Sequence, residues 1–101
     1  MRHIKTHRGI LERMVTVTAT TFNRLVAMEL RLERERKRMT IEQLVRSSDM
    51  NRSTLLRYLY NERALPVPAL YRIAGALSVE PYELMARASA RLAVEQAVAR
   101  V

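Results

Sequence analysis

An all-α domain of five helices is the architecture this sequence predicts, on three observations. Apolar residues recur at helical spacing in successive segments from Phe22 onward. The breaks between those segments carry helix punctuation at Thr40, Asn51, Pro68 and Pro81. After Met85 an Ala-rich run continues to Val101 with no helix breaker. At 101 residues the chain has room for one domain.

Charge narrows the partners. The chain has 18 Lys+Arg against 10 Asp+Glu, a net charge of +8, which implies a polyanionic partner. Nucleic acid is the leading candidate and an anionic membrane surface the second. The chain has no Cys, so it has no disulfide framework and no thiolate metal site; a reducing cytosol suits it. No apolar run approaches the roughly 20 residues needed to span a bilayer. Ile10-Leu11 is followed at once by Glu12-Arg13, so no signal-peptide core is present. Catalysis finds little support. The two His residues, His3 and His7, fall in the N-terminal tail and read as solvent-exposed, not as metal ligands. With Gly9 and Gly75 as the two glycines, no phosphate-cradling loop can be written. No enzyme activity, cofactor, metal or small-molecule ligand is expected.

Residues 1–20 read as a basic N-terminal arm followed by a short helix or linker. Residues 1–9 lack periodicity and predict a flexible arm. Ile10, Leu11, Met14 and Val15 have helical spacing, but residues 16–21 are β-branched and alternate. Helix, strand and linker stay open for that stretch.

Residues 21–85 form the expected domain. Its first helix carries Phe22, Leu25, Val26, Met28, Leu30 and Leu32, with Thr20 or Thr21 as cap. The alternating charges of residues 31–38 predict a solvated face with local ion pairs, phosphate contact being the other reading. Thr40-Ile41-Glu42-Gln43 is a capping box opening a short second helix. Asp49 suits the left-handed backbone of a tight turn, and Met50 reads as a buried hinge. Asn51 caps the third helix, which buries Leu55, Tyr58 and Leu59 by spacing. Its other face shows Arg52, Ser53, Leu56, Arg57 and Tyr60, and Asn61 suits a left-handed end. Pro68 and Pro81 sit at expected first helical positions of the fourth and fifth helices. Leu70, Ile73, Ala74 and Leu77 form the fourth helix's stripe, while Tyr82, Leu84 and Met85 turn back to the core.

Residues 30–85 resemble the lambda repressor and Cro class of helix-turn-helix domains, often called XRE. The resemblance rests on Thr40 before Ile41-Glu42-Gln43-Leu44-Val45, on Arg52-Ser53-Thr54, and on Tyr60-Asn61 where Asn-Gly is usual. It continues through Pro66, Ile73-Ala74, Ala76-Leu77, Val79 and Tyr82-Glu83-Leu84-Met85. Three departures stand out. Asp49 occupies the turn where Gly is usual, and Val45 stands where a small residue is usual. Arg34 would face Leu59 where many members have an Arg–Glu pair, leaving it for solvent or phosphate.

The resemblance implies a five-helix lambda-repressor-like fold, with an extended N-terminal segment and a long C-terminal helix. It also implies double-stranded operator DNA as partner. Base contacts fall to Arg52, Ser53, Arg57 and Leu56. Arg can donate twice to guanine, and Leu56 can touch a thymine methyl. Phosphate contacts fall to Thr40, Gln43, Thr54, Tyr60, Asn61 and Arg63. Arg2, Lys5 and Arg8 are candidates for a DNA-binding arm, a disordered tail being the alternative.

The functional expectation is a transcriptional regulator of phage or prophage type, an immunity repressor or Cro-like protein in the nucleoid of a bacterial cytoplasm. An antitoxin that also represses its own operon is the alternative, its partner surface lying in residues 1–20 or 86–101. Residues 86–101 predict a helix with Val94, Val98 and Val101 along one side and Leu92 on another. It either folds back on Leu25, Val26 or Met28, leaving a monomer, or forms a homodimer interface.

Overall fold

The computed structural model describes residues 2–100, with side chains from Arg8 onward. Five helices follow in order: α1 (Arg2–Arg36), α2 (Ile41–Ser48), α3 (Arg52–Leu59), α4 (Val67–Ala76) and α5 (Pro81–Ala99). The expected flexible arm and the break before Phe22 are not there; α1 runs unbroken through both, with no cap at Thr20 or Thr21. Helix propensities of Thr and Val trail those of good helix formers by only a few tenths of a kcal/mol, and no Pro interrupts the run. Thr16 helps locally, its hydroxyl donating to the Glu12 carbonyl at 2.9 Å. The result is a rod of about 52 Å at 1.5 Å per residue, matching the molecule's 55 Å long axis.

The core gathers around the second half of α1. Leu25, Val26 and Leu30 pack with Leu44, Leu55, Leu59, Leu70, Ile73, Leu77 and Leu84, all nearly or fully buried. Burying each such side chain contributes about 1.5–3 kcal/mol. Tyr58 joins this core as its spacing predicts. Met50 is half-buried, and Tyr82 does not turn inward but lies exposed. Being the second residue of α5, Tyr82 points away from the face that Leu84 and Ala88 bury.

The charge run of residues 31–38 is in part the expected solvated face, with Glu35 to Arg38 exposed and Arg36 paired locally to Glu33, but Glu33 itself is buried. Glu29 and Glu33 are buried, and α5 lies antiparallel across them. Arg87 Nη1 donates to Glu33 Oε1 at 3.0 Å, and Arg91 Nε donates to Glu29 Oε1. Arg24 completes the seam with Glu95 at 2.7 Å. The C-terminal helix therefore folds back on α1, and Glu29 and Glu33, four residues apart, match Arg91 and Arg87 in reverse order. Arg36 adds a second donor to Glu33 at 3.3 Å. Glu29 Oε2 is buried without a hydrogen-bond partner among the described residues. Arg34 is not released to solvent or phosphate; its Nη1 donates to the Met39 carbonyl at 2.9 Å, closing the end of α1.

Four helix ends turn through left-handed backbone without glycine: Arg38, Asp49, Asn61 and Ser78 have φ of 53°, 53°, 57° and 56°. Asn and Asp tolerate that region best among side-chain-bearing residues. Pro66 caps α4 and Pro68 is its second residue, one place later than its expected first position; Pro81 opens α5 as expected.

Gly75 sits in α4 with open space where a Cβ would stand. Gly75→Ala is expected to stabilise the fold by about 0.5–1 kcal/mol, read as a Tm rise of several degrees by circular dichroism. At Glu33, burial raises the carboxyl pKa, but hydrogen bonds and charge from Arg87 and Arg36 outweigh it, so it titrates below its usual 4.5. A lowered folded-state pKa stabilises above the unfolded value, and that stability is lost as pH falls from about 4.5 through the folded value. Glu33→Gln is expected to cost about 1–3 kcal/mol at neutral pH and to flatten the fall in Tm below pH 4.5; an unchanged acid slope would refute the pairing.

Candidate nucleic-acid interface

α2 and α3 meet at a turn whose chemistry is local. Thr40 Oγ1 accepts from Gln43 N at 3.1 Å, and Gln43 Oε1 accepts from Thr40 N at 2.8 Å, completing the capping box. Asp49 ends α2 in the left-handed region, its amide donating to the Arg46 carbonyl. Asn51 Oδ1 then accepts from Ser53 N at 2.9 Å and Thr54 N at 3.4 Å, starting α3. These caps fix where α3 begins and how it is aimed.

At 100° per residue, Arg52, Ser53, Leu56, Arg57 and Tyr60 share an arc of about 140° on α3. Arg52, Ser53, Arg57 and Tyr60 are exposed, and α3 contains no carboxylate. Leu56, within the arc, is half-buried and not fully exposed. Arg52 Nε donates to Glu42 Oε1 of α2 at 2.8 Å. Both groups are more than half exposed, so the pair contributes little stability; it orients the guanidinium and leaves the Nη donors outward.

The phosphate candidates divide. Thr40 and Gln43 are exposed at the α2 N-terminus, and with Gln43 Oε1 engaged its Nε2 is the outward donor. Thr54 is half-buried, beside Asp49, Pro66 and Arg72 in a furrow of about 340 Å³. Arg63 is exposed in the α3–α4 loop. Tyr60 is exposed and lies under the Arg31 guanidinium, 5.5 Å from the ring centroid. Asn61 is half-buried and its Oδ1 accepts from Asn23 Nδ2 at 2.7 Å. Of the arm residues, Arg8 is exposed on α1, and the side chains of Arg2 and Lys5, like those of His3 and His7, lie outside the described residues.

Sequence reasoning missed the residues of α1 that hold this surface. Asn23 bridges to Asn61 and accepts from Leu65 N at 2.8 Å, pinning both ends of the α3–α4 loop. Arg31 donates to the Leu59 carbonyl at the end of α3, the place assigned by sequence to Arg34. Arg72 adds a cation on the flank of α3. A signal for Asn23 existed, since a polar residue beside the apolar Phe22-x-x-Leu25-Val26 pattern needs a buried partner.

A family model described as Cro/C1-type HTH DNA-binding domain matches residues 29–88. No curated protein and no solved structure matches the chain. No helix among the described residues is long and apolar enough to cross a membrane. With the match covering more than half of the chain, and spanning α2, the Asp49 turn and α3, the chain belongs to the Cro/C1-type helix-turn-helix DNA-binding family.

Proposed function

We propose that this protein is a sequence-specific transcriptional regulator, a repressor of phage or prophage type that acts by occupying operator DNA. The observation that carries this is the carboxylate-free outer arc of α3, presenting Arg52, Ser53 and Arg57 from a rigidly capped turn. An α-helix fits the major groove, where Arg donates twice to guanine O6 and N7. Arg52 and Arg57 take that role, Ser53 bonds a base edge or its adjoining phosphate, and Leu56 covers a thymine methyl at the rim of its half-buried site. Thr40, Gln43, Thr54, Tyr60, Asn61 and Arg63 position the backbone on either side of α3. The helical segment carrying Arg2, Lys5 and Arg8 supplies further positive charge toward the backbone. Occlusion of promoter DNA is sufficient for repression and needs no ligand.

Selection of bound duplexes from random oligonucleotides tests this. The wild type is expected to enrich a short motif, and Arg57→Ala to relax one position of it by about 1–3 kcal/mol. Arg63→Ala is expected to weaken all sequences alike and to reduce the salt slope of log K by about 0.9. No enriched motif, or a motif unchanged in an Arg52→Ala, Arg57→Ala double variant, removes α3 as the reader. Asn23→Ala is expected to leave the motif intact while lowering affinity for every duplex, because the loop carrying Asn61 and Arg63 loses its clamp; hydrogen exchange at Leu65 N reports the loosening.

A further inference from the structure

We propose that Glu42 is a specificity-determining residue, holding Arg52 to guanine and withholding it from phosphate. The inference rests on α3 as the reading helix and gives a role to a residue of α2 outside the base-reading set. Glu42 is the one carboxylate in α2 and α3. It stands in the first turn of α2, and its Oε1 accepts from Arg52 Nε at 2.8 Å. Stability does not account for the pair. Arg52 and Glu42 are 59% and 64% exposed, and ion pairs that open to water contribute almost nothing to folding. On a surface that meets phosphates, a carboxylate also opposes binding by like charge.

Its effect falls on what Arg52 can bind. A guanidinium presents its donors in two forks, Nη1 with Nη2 at the end and Nε with one Nη along the side. Glu42 engages Nε and so closes the side fork. The end fork stays open, and it matches guanine O6 and N7. Glu42 therefore leaves Arg52 the donor pair that reads a base.

The same pair acts against wrong sequences. Over adenine, an Arg52 Nη donor meets the N6 amino group, itself a donor. A free Arg escapes by turning its flexible stem to the nearest phosphate, and the mismatch then costs little. Arg52 makes that turn only by breaking its ion pair, which leaves the Glu42 charge bare beside the DNA backbone. The penalty for the wrong base is retained, and binding to unrelated DNA is weakened with it. Discrimination then includes a repulsive element as well as an attractive one. Arg57 supplies the contrast: it has no carboxylate partner among the described residues, so nothing restrains its choice between base and phosphate.

Competition binding over a salt series tests this, with the selected duplex, single-base variants of it and a scrambled duplex. The position that Arg52→Ala relaxes defines the Arg52 base. Wild type is expected to discriminate there by about tenfold or more, and Glu42→Ala by about threefold or less, with the Arg57 position unchanged. Glu42→Ala is also expected to bind the scrambled duplex more tightly, its log K falling with log salt more steeply by about 0.9, one added phosphate contact. In an Arg52→Ala background that steepening is expected to vanish. Glu42→Gln keeps an oxygen for Nε and loses the charge, so its discrimination is expected to fall between wild type and Glu42→Ala. Thermal melts of all these variants are expected to match wild type. If Arg52→Ala relaxes a position that Glu42→Ala leaves as strict as wild type, the role of Glu42 is overturned and α3 remains the reader. Relaxation by Glu42→Ala at every position alike marks a merely structural residue and overturns the role too. A wild type that enriches no motif overturns the reading by α3 and this role together.

Discussion

Burying Glu29 and Glu33 on α1 is the constraint that orders the rest. A buried carboxylate without a partner is among the costliest features a small core can hold. Arg91 and Arg87 must reach it, so α5 must return antiparallel along α1, in one register. Once α5 lies there, Leu84 and Ala88 join Leu25 and Leu30 of α1 and Leu70 and Ile73 of α4 in one buried cluster. The pairs contribute modest net stability after desolvation, yet they disfavour a sliding α5, because a shift of one turn would leave one acid paired and set the other against Glu83 or Glu95.

The second half of α1 works on its other sides as well. Asn23 holds the α3–α4 loop, Arg31 holds the end of α3, and Arg34 holds its own C-terminus. The recognition surface is therefore assembled on a helix that contributes none of the candidate base-reading residues. Helix α3 has eight residues, too short to persist alone, and its direction derives from the Asn51 cap at one end and Arg31 at the other.

Legibility in the sequence followed the range of the interactions. The α2–turn–α3 unit was readable because its determinants are local: a reciprocal cap at Thr40, a left-handed Asp49, and an Asn51 cap. The candidate base-reading arc was readable for the same reason, being a matter of helical spacing within eight residues. What was not readable depends on elements far apart in the chain. Glu33 looks solvated inside the alternating run of residues 31–38, and Glu29 stands just before that run with no cue of its own; only the matching four-residue spacing of Arg87 and Arg91 hints that α5 is laid against both. Assigning Arg34 instead of Arg31 to the end of α3 was an error of one helical turn. The N-terminal helix was lost to a margin of a few tenths of a kcal/mol per residue, finer than propensity resolves.

The unbroken course of α1 makes it a lever. One continuous rod carries an apolar handle at Leu11 to Val15 and, about two turns further on, the Asn23 clamp on the loop. A helix resists bending over that distance, so handle and loop keep a fixed orientation to each other. Any body that grips the handle inherits the pose of the loop, and any body that seats the loop dictates where the handle points. The two events are linked through rigid geometry in both directions, with no hinge between them to dissipate the coupling.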